Sequence, residues 1–185
     1  YSSTFAFIGD STFFHSGMTG LANAVLNKHD VLLVILDNGT TAMTGHQPNP
    51  GVCTAVLGEG CNHLDIESVV RGIGVTDVAK VKPFNMRSTL KTIEEMKARS
   101  GVRVIIAEEP CMLFARRTLK QNRPQVAEVV TQGEEALKCL AELACPAFRR
   151  GGTAEAPVVS VDESQCSGCM VCLQVTPAIR ARKRS

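Results

Sequence analysis

Two apolar runs, residues 4–8 and 31–36, are each followed at once by a polar cluster, Gly9-Asp10-Ser11 after the first and Asp37-Asn38-Gly39-Thr40 after the second. Short runs of this kind, rich in β-branched and aromatic residues, read as buried strands. Residues 17–26 between them have the length and apolar spacing of a crossover helix. A strand, a helix and a second strand in that order form a right-handed unit with the strands parallel. Both polar clusters then lie at the carboxyl edge of the sheet, where α/β folds place their ligands.

The residue types at that edge suit a diphosphate held through Mg2+. That ion takes hard oxygen ligands in octahedral geometry, with one or two side chains supplemented by phosphate oxygens and water. Asp10 offers a carboxylate, Asn38 an amide oxygen, and Thr40 a backbone carbonyl on a loop loosened by Gly39. A helix starting near Ser16-Gly17 is expected to aim its free N–H groups at the diphosphate. The plainer alternative is a Rossmann-like strand-helix-strand unit with an incidental Asp and Asn.

The pattern resembles the thiamine diphosphate motif, Gly-Asp-Gly followed after a helix and a strand by Asn-Asn. It departs twice, with Ser11 for the third glycine and Asp37 for the first asparagine. The runs from Gly9 to Gly17 and from Asp37 to Pro48 resemble the α subunit of the indolepyruvate:ferredoxin oxidoreductase family. The likeness is close over residues 5–51, looser over 52–130, and returns at the cysteine-rich end. It implies a thiamine diphosphate-binding fold with Gly9, Asp10, Ser11, Asn38 and Thr40 on the cofactor, and with Asp10, Asn38 and Thr40 on Mg2+. The long matching run disfavours the incidental alternative.

Length and composition allow one α/β domain and a small appendage. The expected fold class is α/β, a doubly wound and mostly parallel sheet over residues 1–125, followed by a small ferredoxin-like α+β module over 126–185. Sequential strand and helix patterns support the first part: a helix over 65–74, a strand over 75–81, a helix over 86–99 presenting Leu90, Ile93 and Met96, and a strand over 102–107. Residues 40–64 read as a long functional loop. Arg149-Arg150-Gly151-Gly152-Thr153 reads as a flexible hinge, and the basic end, Arg180 to Arg184, as a frayed solvated terminus, with docking of an acidic ferredoxin as its alternative.

The net charge is only +2 and its excess is concentrated in that basic end, so no nucleic-acid face is expected. No apolar run is long enough to span a bilayer, and no membrane association is expected. The chain opens on Tyr1 almost at its first strand, and a piece of a longer subunit is expected rather than a split one.

The chain has 8 cysteines. Three sit in Cys166-x2-Cys169-x2-Cys172, which favours metal ligation in a reducing cytoplasm over a disulfide scaffold. The spacing opens a bacterial ferredoxin run, whose fourth cysteine, before a proline, ligates the other cluster of a two-cluster protein. Here Thr176 precedes Pro177, whereas upstream Cys145 precedes Pro146. Counting back from Cys145, Cys139 takes the third ligand position and Ala136 and Gly133 the second and first. One cluster would thus have Gly133, Ala136, Cys139 and Thr176, a set that cannot hold it. The other has Cys145, Cys166, Cys169 and Cys172, a complete set. One [4Fe–4S] cluster is expected, with Zn2+ as the alternative occupant of four thiolates. Cys53, Cys61, Cys111 and Cys139 read as ordinary small residues.

His46 and His15 are the candidate catalytic residues, because imidazole titrates near neutrality. For His46 a loop-ordering hydrogen bond is the competing role, and His29 and His63 read as surface residues. The resemblance further implies oxidative decarboxylation of an aryl 2-oxoacid to an acyl-CoA, with coenzyme A as co-substrate and electrons leaving through the cluster to ferredoxin. It implies a hetero-oligomer with a β subunit, and an activating glutamate from an upstream pyrimidine-binding domain or subunit. A non-redox oxoacid decarboxylase and a non-catalytic electron-transfer or assembly module are the alternatives.

Overall fold

A computed structural model of the chain describes residues 4–52, 62–117 and 123–184, so Cys53, Cys61, Glu59 and Lys120 lie outside the described residues. The chain divides into two compact units, Tyr1–Leu119 and Lys120–Ser185.

The first unit is a four-stranded sheet in the order β1-β2-β4-β3, built from β1 (Thr4–Gly9), β2 (Val31–Asp37), β3 (Asp77–Val81) and β4 (Val102–Glu108). Every pairing is parallel. Parallel strands bury both faces, and alternate residues go to opposite sides. Ile35, Val104 and Ile106 join Phe13, Phe14, Leu21, Ile66 and Val70 in one core. Leu32, Val34, Ile105 and Ala107 join Val81 and Met96 in the other. Helices α2 (Met18–Leu26) and α3 (Ile66–Gly72) contribute to the first core, and α4 (Met86–Lys97) to the second. Helices on both faces of a parallel sheet make the unit doubly wound α/β, as expected. Asp65 caps α3 by accepting a 2.7 Å hydrogen bond from Ser68 N–H.

Two local expectations in this unit are corrected. The helix after β1 does not start near Ser16. Helical backbone begins at α1 (Asp10–Thr12), runs through a π turn at Phe13–Gly17, and continues as α2. A π turn inserts an extra residue into the helical repeat. It lets the adjacent rings of Phe13 and Phe14 both bury and meet edge to face at 5.5 Å, a packing that 3.6-residue periodicity does not forecast. On α4, Met96 is buried and Ile93 partly so, but Leu90 is 55% exposed.

The second unit pairs β5 (Gln125–Val129) with β8 (Ile179–Lys183), and β6 (Phe148–Gly152) with β7 (Pro157–Val161), both antiparallel. Helix α6 (Glu134–Glu142) lies between β5 and β6 in the chain, and a 3-10 turn (Val171–Gln174) between β7 and β8. The segment read as a flexible hinge is therefore strand β6. Its glycine serves the turn: Gly152 has φ +77°, and a Cβ there would lie 2.2 Å from Ala156 O. The end read as frayed is strand β8. Its arginines find acidic partners across the ladder, Arg180 on Glu128 at 2.7 Å and Arg182 on Glu128 and Glu163.

Candidate cofactor sites

Asp10 begins the helix immediately beyond β1 and is 3% exposed. Its carboxylate is held from three sides. Oδ1 accepts from Ser11 N–H at 2.8 Å, and Oδ2 accepts from Gly39 N–H and from the Asn49 side-chain amide, each at 3.1 Å. Asn38 Oδ1 accepts from Thr40 N–H at 3.0 Å, a tight turn in which Gly39 takes φ +69°. Ser11, which replaces the expected glycine, accepts from Thr41 Oγ1 at 2.9 Å and ties the helix start to the turn after β2. The structure thus brings Gly9, Asp10, Ser11, Asn38 and Thr40 to one edge, because the β1–β2 register runs unbroken from Thr4↔Val31 to Gly9↔Leu36.

That edge is electrostatically arranged for a cation. Burial, and then the neighbouring negative charge of Asp10, push the Asp37 carboxyl above its ordinary value, with Glu108 adding to the effect. Acids crowded into a partly desolvated corner favour a divalent ion that offsets their repulsion. Nothing lies within 4 Å of a Cβ built at Gly9 or Gly39, so the backbone of each turn is open to a close approach. The donor set and the open space fit Mg2+ and a diphosphate.

One nearby residue escaped the sequence reading. Asn49 is 8% exposed, and its Oδ1 accepts from Gly51 N–H at 2.9 Å, which turns its amide N–H2 toward Asp10. The Asn-Pro-Gly signature marks a turn, but not the partner of its first side chain. Cys111, read as an ordinary small residue, donates its backbone N–H to Asn38 O at 3.0 Å, so the segment after β4 is tied to the turn after β2.

The two histidines separate. His46 has φ +64°, its ring lies 5.3 Å from that of Phe114 on α5 (Met112–Arg117), and its Nδ1 is buried without a hydrogen-bond partner among the described residues. The loop there is ordered by backbone bonds instead, His46 N–H to Thr41 O at 3.0 Å and Thr41 N–H to Gln47 O at 2.9 Å. His15 is exposed on the π turn, and no hydrogen bond orients it among the described residues. His29 and His63 are exposed.

In the second unit Cys145, Cys166, Cys169 and Cys172 line one cavity of about 210 Å3, walled by Ala127, Leu143 and Phe148 among others. A cavity larger than the roughly 150 Å3 that accommodates benzene, lined by four thiols and mostly by hydrocarbon besides, has room for an inorganic cluster. Among the described residues no three His, Cys, Asp or Glu gather closely enough to grip a single ion. The Cys172 thiol is pushed up to about 12, by burial first and then by the charges of Cys139, Cys169 and Cys166. Positive iron would reverse that repulsion.

The positions counted as the lost ligand set are filled with protein. Gly133 precedes α6, and Ala136 and Cys139 are wholly buried on it. Thr176, 2% exposed, donates to Glu135 Oε2 at 2.9 Å and accepts from Ala178 N–H at 3.2 Å. Burial, followed by Cys145 and Glu142, raises the Cys139 thiol. Three of those four positions thus lie at the start of, or on, a regular helix.

A parallel sheet whose carboxyl edge carries a buried aspartate and an Asn-Gly-Thr turn is the architecture of a diphosphate-cofactor domain. The chain belongs to the family described as "Thiamine pyrophosphate enzyme, C-terminal TPP binding domain", whose profile matches residues 2–107. Within that family it is similar to proteins named indolepyruvate oxidoreductase subunit IorA. It is 43% identical over 177 residues to the one from Methanothermobacter thermautotrophicus, covering 94% of this chain and 27% of that protein. Against the Archaeoglobus fulgidus protein it is 41% identical over 173 residues, covering 93% and 27%. Against the Pyrococcus horikoshii protein it is 39% identical over 175 residues, covering 93% and 26%. The chain thus spans about a quarter of the length of these relatives. Among solved structures, it superposes on a 2-oxoglutarate:ferredoxin oxidoreductase from Magnetococcus marinus with 2-oxoglutarate, coenzyme A and succinyl-CoA bound. The TM-score is 0.51 at 17% identity, over 57% of this chain and 40% of that one, a likeness of fold. No helix among the described residues is long and apolar enough to cross a membrane.

Proposed function

We propose that this chain is the cofactor-binding and cluster-binding part of a thiamine diphosphate-dependent 2-oxoacid:ferredoxin oxidoreductase acting on aryl 2-oxoacids of the indolepyruvate type. The observation that carries the redox reading is the ring of Cys145, Cys166, Cys169 and Cys172 around one cavity, in a chain whose other unit belongs to a thiamine pyrophosphate-enzyme family. The names of its relatives support the choice of substrate.

Asp10, Asn38 and the Thr40 carbonyl hold Mg2+, and Gly9 and Ser11 border the diphosphate. Asn49 and Gly39 N–H keep the Asp10 carboxylate aimed at the metal. Bound thiamine diphosphate supplies a carbanion-stabilising centre for decarboxylation. His46, whose Nδ1 has no partner among the described residues, handles a proton near the substrate; His15 is the second candidate. The four cysteines would hold one [4Fe–4S] cluster, which would supply one-electron transfer toward ferredoxin, with coenzyme A as the acyl acceptor. The enzyme works in the cytoplasm as a hetero-oligomer with a β subunit, and a pyrimidine-binding domain or subunit supplies the activating glutamate.

The test is iron, acid-labile sulfide and zinc per chain on anaerobically prepared protein, followed by aryl-pyruvate oxidation by the assembled enzyme. The expected content is about four iron and four sulfide. Zinc without sulfide would sink the redox reading and leave the non-redox decarboxylase in its place.

A further inference from the structure

The ligand loop that begins at Cys166 is clamped from two sides. On one side Gly168, at φ +72°, lies so close to the start of β5 that a Cβ would fall 2.5 Å from Gln125 O. On the other side the Arg184 guanidinium donates to Cys166 O at 2.7 Å, to Glu163 O at 3.0 Å and to Arg123 O at 3.4 Å. Its own backbone N–H is bound to Pro124 O at 2.8 Å, which fixes where the side chain starts. The Cys166 sulfur itself accepts from Ala127 N–H at 3.5 Å.

All three side-chain acceptors of Arg184 are neutral carbonyls, and the carboxylate of neighbouring Glu163 is engaged by Arg182. A full positive charge is therefore held against the backbone of a cysteine that lines the cavity. A cluster becomes more negative when it accepts an electron, so a fixed positive charge beside it stabilises the reduced form. Nearby charge and hydrogen bonds to sulfur are among the levers that set such potentials.

We propose that Arg184 is a positioning residue for the cluster: it pins the Cys166 end of the ligand loop and raises the cluster's reduction potential. This rests on the cluster assignment made above. It gives the basic end of the chain a role in tuning electron acceptance, carried by hydrogen bonds that a frayed terminus could not make.

The test compares Arg184→Gln and Arg184→Lys with the parent chain, all loaded with iron under anaerobic conditions. The readouts are iron and sulfide content and an EPR-monitored redox titration. Gln keeps a donor but removes the charge. Its potential should fall by an amount equal to about a tenfold change in the oxidised-to-reduced ratio, about 59 mV for a one-electron couple. Lys retains the charge and should move by less than a third of that. A loaded Arg184→Gln protein with an unchanged potential overturns the proposal, as does an Arg184→Lys protein that shifts as far as Gln. Should Arg184→Gln fail to keep its iron, bleaching rates decide. Slower cluster loss in Lys than in Gln, with the iron-free Tm unaltered in both, supports the pinning role. Equal loss with a matching fall in the iron-free Tm overturns it as plain destabilisation. A parent chain without iron or sulfide fails the cluster assignment itself, a result separable from every outcome above.

Discussion

The two units differ in what fills their centres. The sheet unit closes on itself with large aliphatic and aromatic side chains, Leu32, Ile35, Ile105, Ile106, Phe13 and Val70, on both faces of four parallel strands. The cysteine unit has a core in which Ala127, Ala136, Cys139, Ala147, Cys166, Cys172 and Ala178 predominate, beside a cavity of about 210 Å3 lined by thiols. Burying a Leu or Ile side chain contributes roughly 1.5–3 kcal/mol and an alanine much less. On the proposed cluster assignment, a unit of small residues around such a cavity gains stability from its occupant. One unit carries its core in large side chains of its own; on the proposed assignment the other would be built around an inorganic cluster.

The largest effect should come from stripping the iron. Calorimetry of loaded and chelator-treated chain should show the cysteine unit losing on the order of 10 kcal/mol, the scale on which structural metal sites carry folding energy. The transition of the sheet unit should stay in place. Two unchanged transitions would break the contrast outright.

Next in size, Ile35→Ala, at a wholly buried position in the middle of β2, should lower the stability of the sheet unit by about 3 kcal/mol in urea. Iron content should be unaffected. An effect below 1 kcal/mol, allowing for the usual spread about such estimates, would mean that this core is looser than its packing implies.

A third comparison sharpens the account within the cysteine unit. Cys139→Ala removes a buried thiol that sits on α6 and outside the ligand ring, so it should cost about 1 kcal/mol and leave four iron per chain in place. Cys145→Ala removes a proposed ligand that lines the cavity and should abolish loading. Loss of iron in the Cys139 variant would reassign the ligand set.

The smallest effect concerns the cap of α3. The hydrogen bonds from the Ser68 side chain and then from its backbone hold the Asp65 carboxyl below its ordinary value of 3.8, with Lys80 helping. Its stabilisation is full above that value and is lost as the pH falls through the lower folded value. Asp65→Asn keeps a good cap, so Tm at neutral pH should change by less than the equivalent of about 0.5 kcal/mol. What should disappear is part of the acid limb of the Tm profile of the sheet unit. An unchanged acid limb would remove Asp65 from that linkage.

How much was legible beforehand divides along the same line. The parallel sheet and its cofactor edge were readable because 4–8 and 31–36 are uninterrupted apolar runs ending in Asp10 and Asn38, and a short crossover leaves little topological choice. The cysteine ring was readable from the spacing of Cys166, Cys169 and Cys172 and from Cys145 before Pro146. The π turn was not, because it violates the repeat used to find helices. Strand β6 was hidden because Gly151-Gly152 looks like a break until the Gly152↔Pro157 pairing supplies its partner. Strand β8 was hidden because a basic run has no evident partner until Glu128 and Glu163 are brought beside it.

The sequence by itself determined the order of strands and helices in the sheet unit, the place of Asp10 and Asn38 at the carboxyl edge of that sheet and the grouping of four cysteines in one set, since these depend on residue type and on spacing along the chain. Only the tertiary structure decided that Asn49 donates to the Asp10 carboxylate, that Ala136 and Cys139 are buried on α6, and that Arg184 grips the Cys166 loop. The physical reason is separation: Asn49 lies 39 residues from Asp10, and Arg184 lies 18 from Cys166. Hydrogen bonds across such distances are set by how the layers pack, and local pattern carries no record of them.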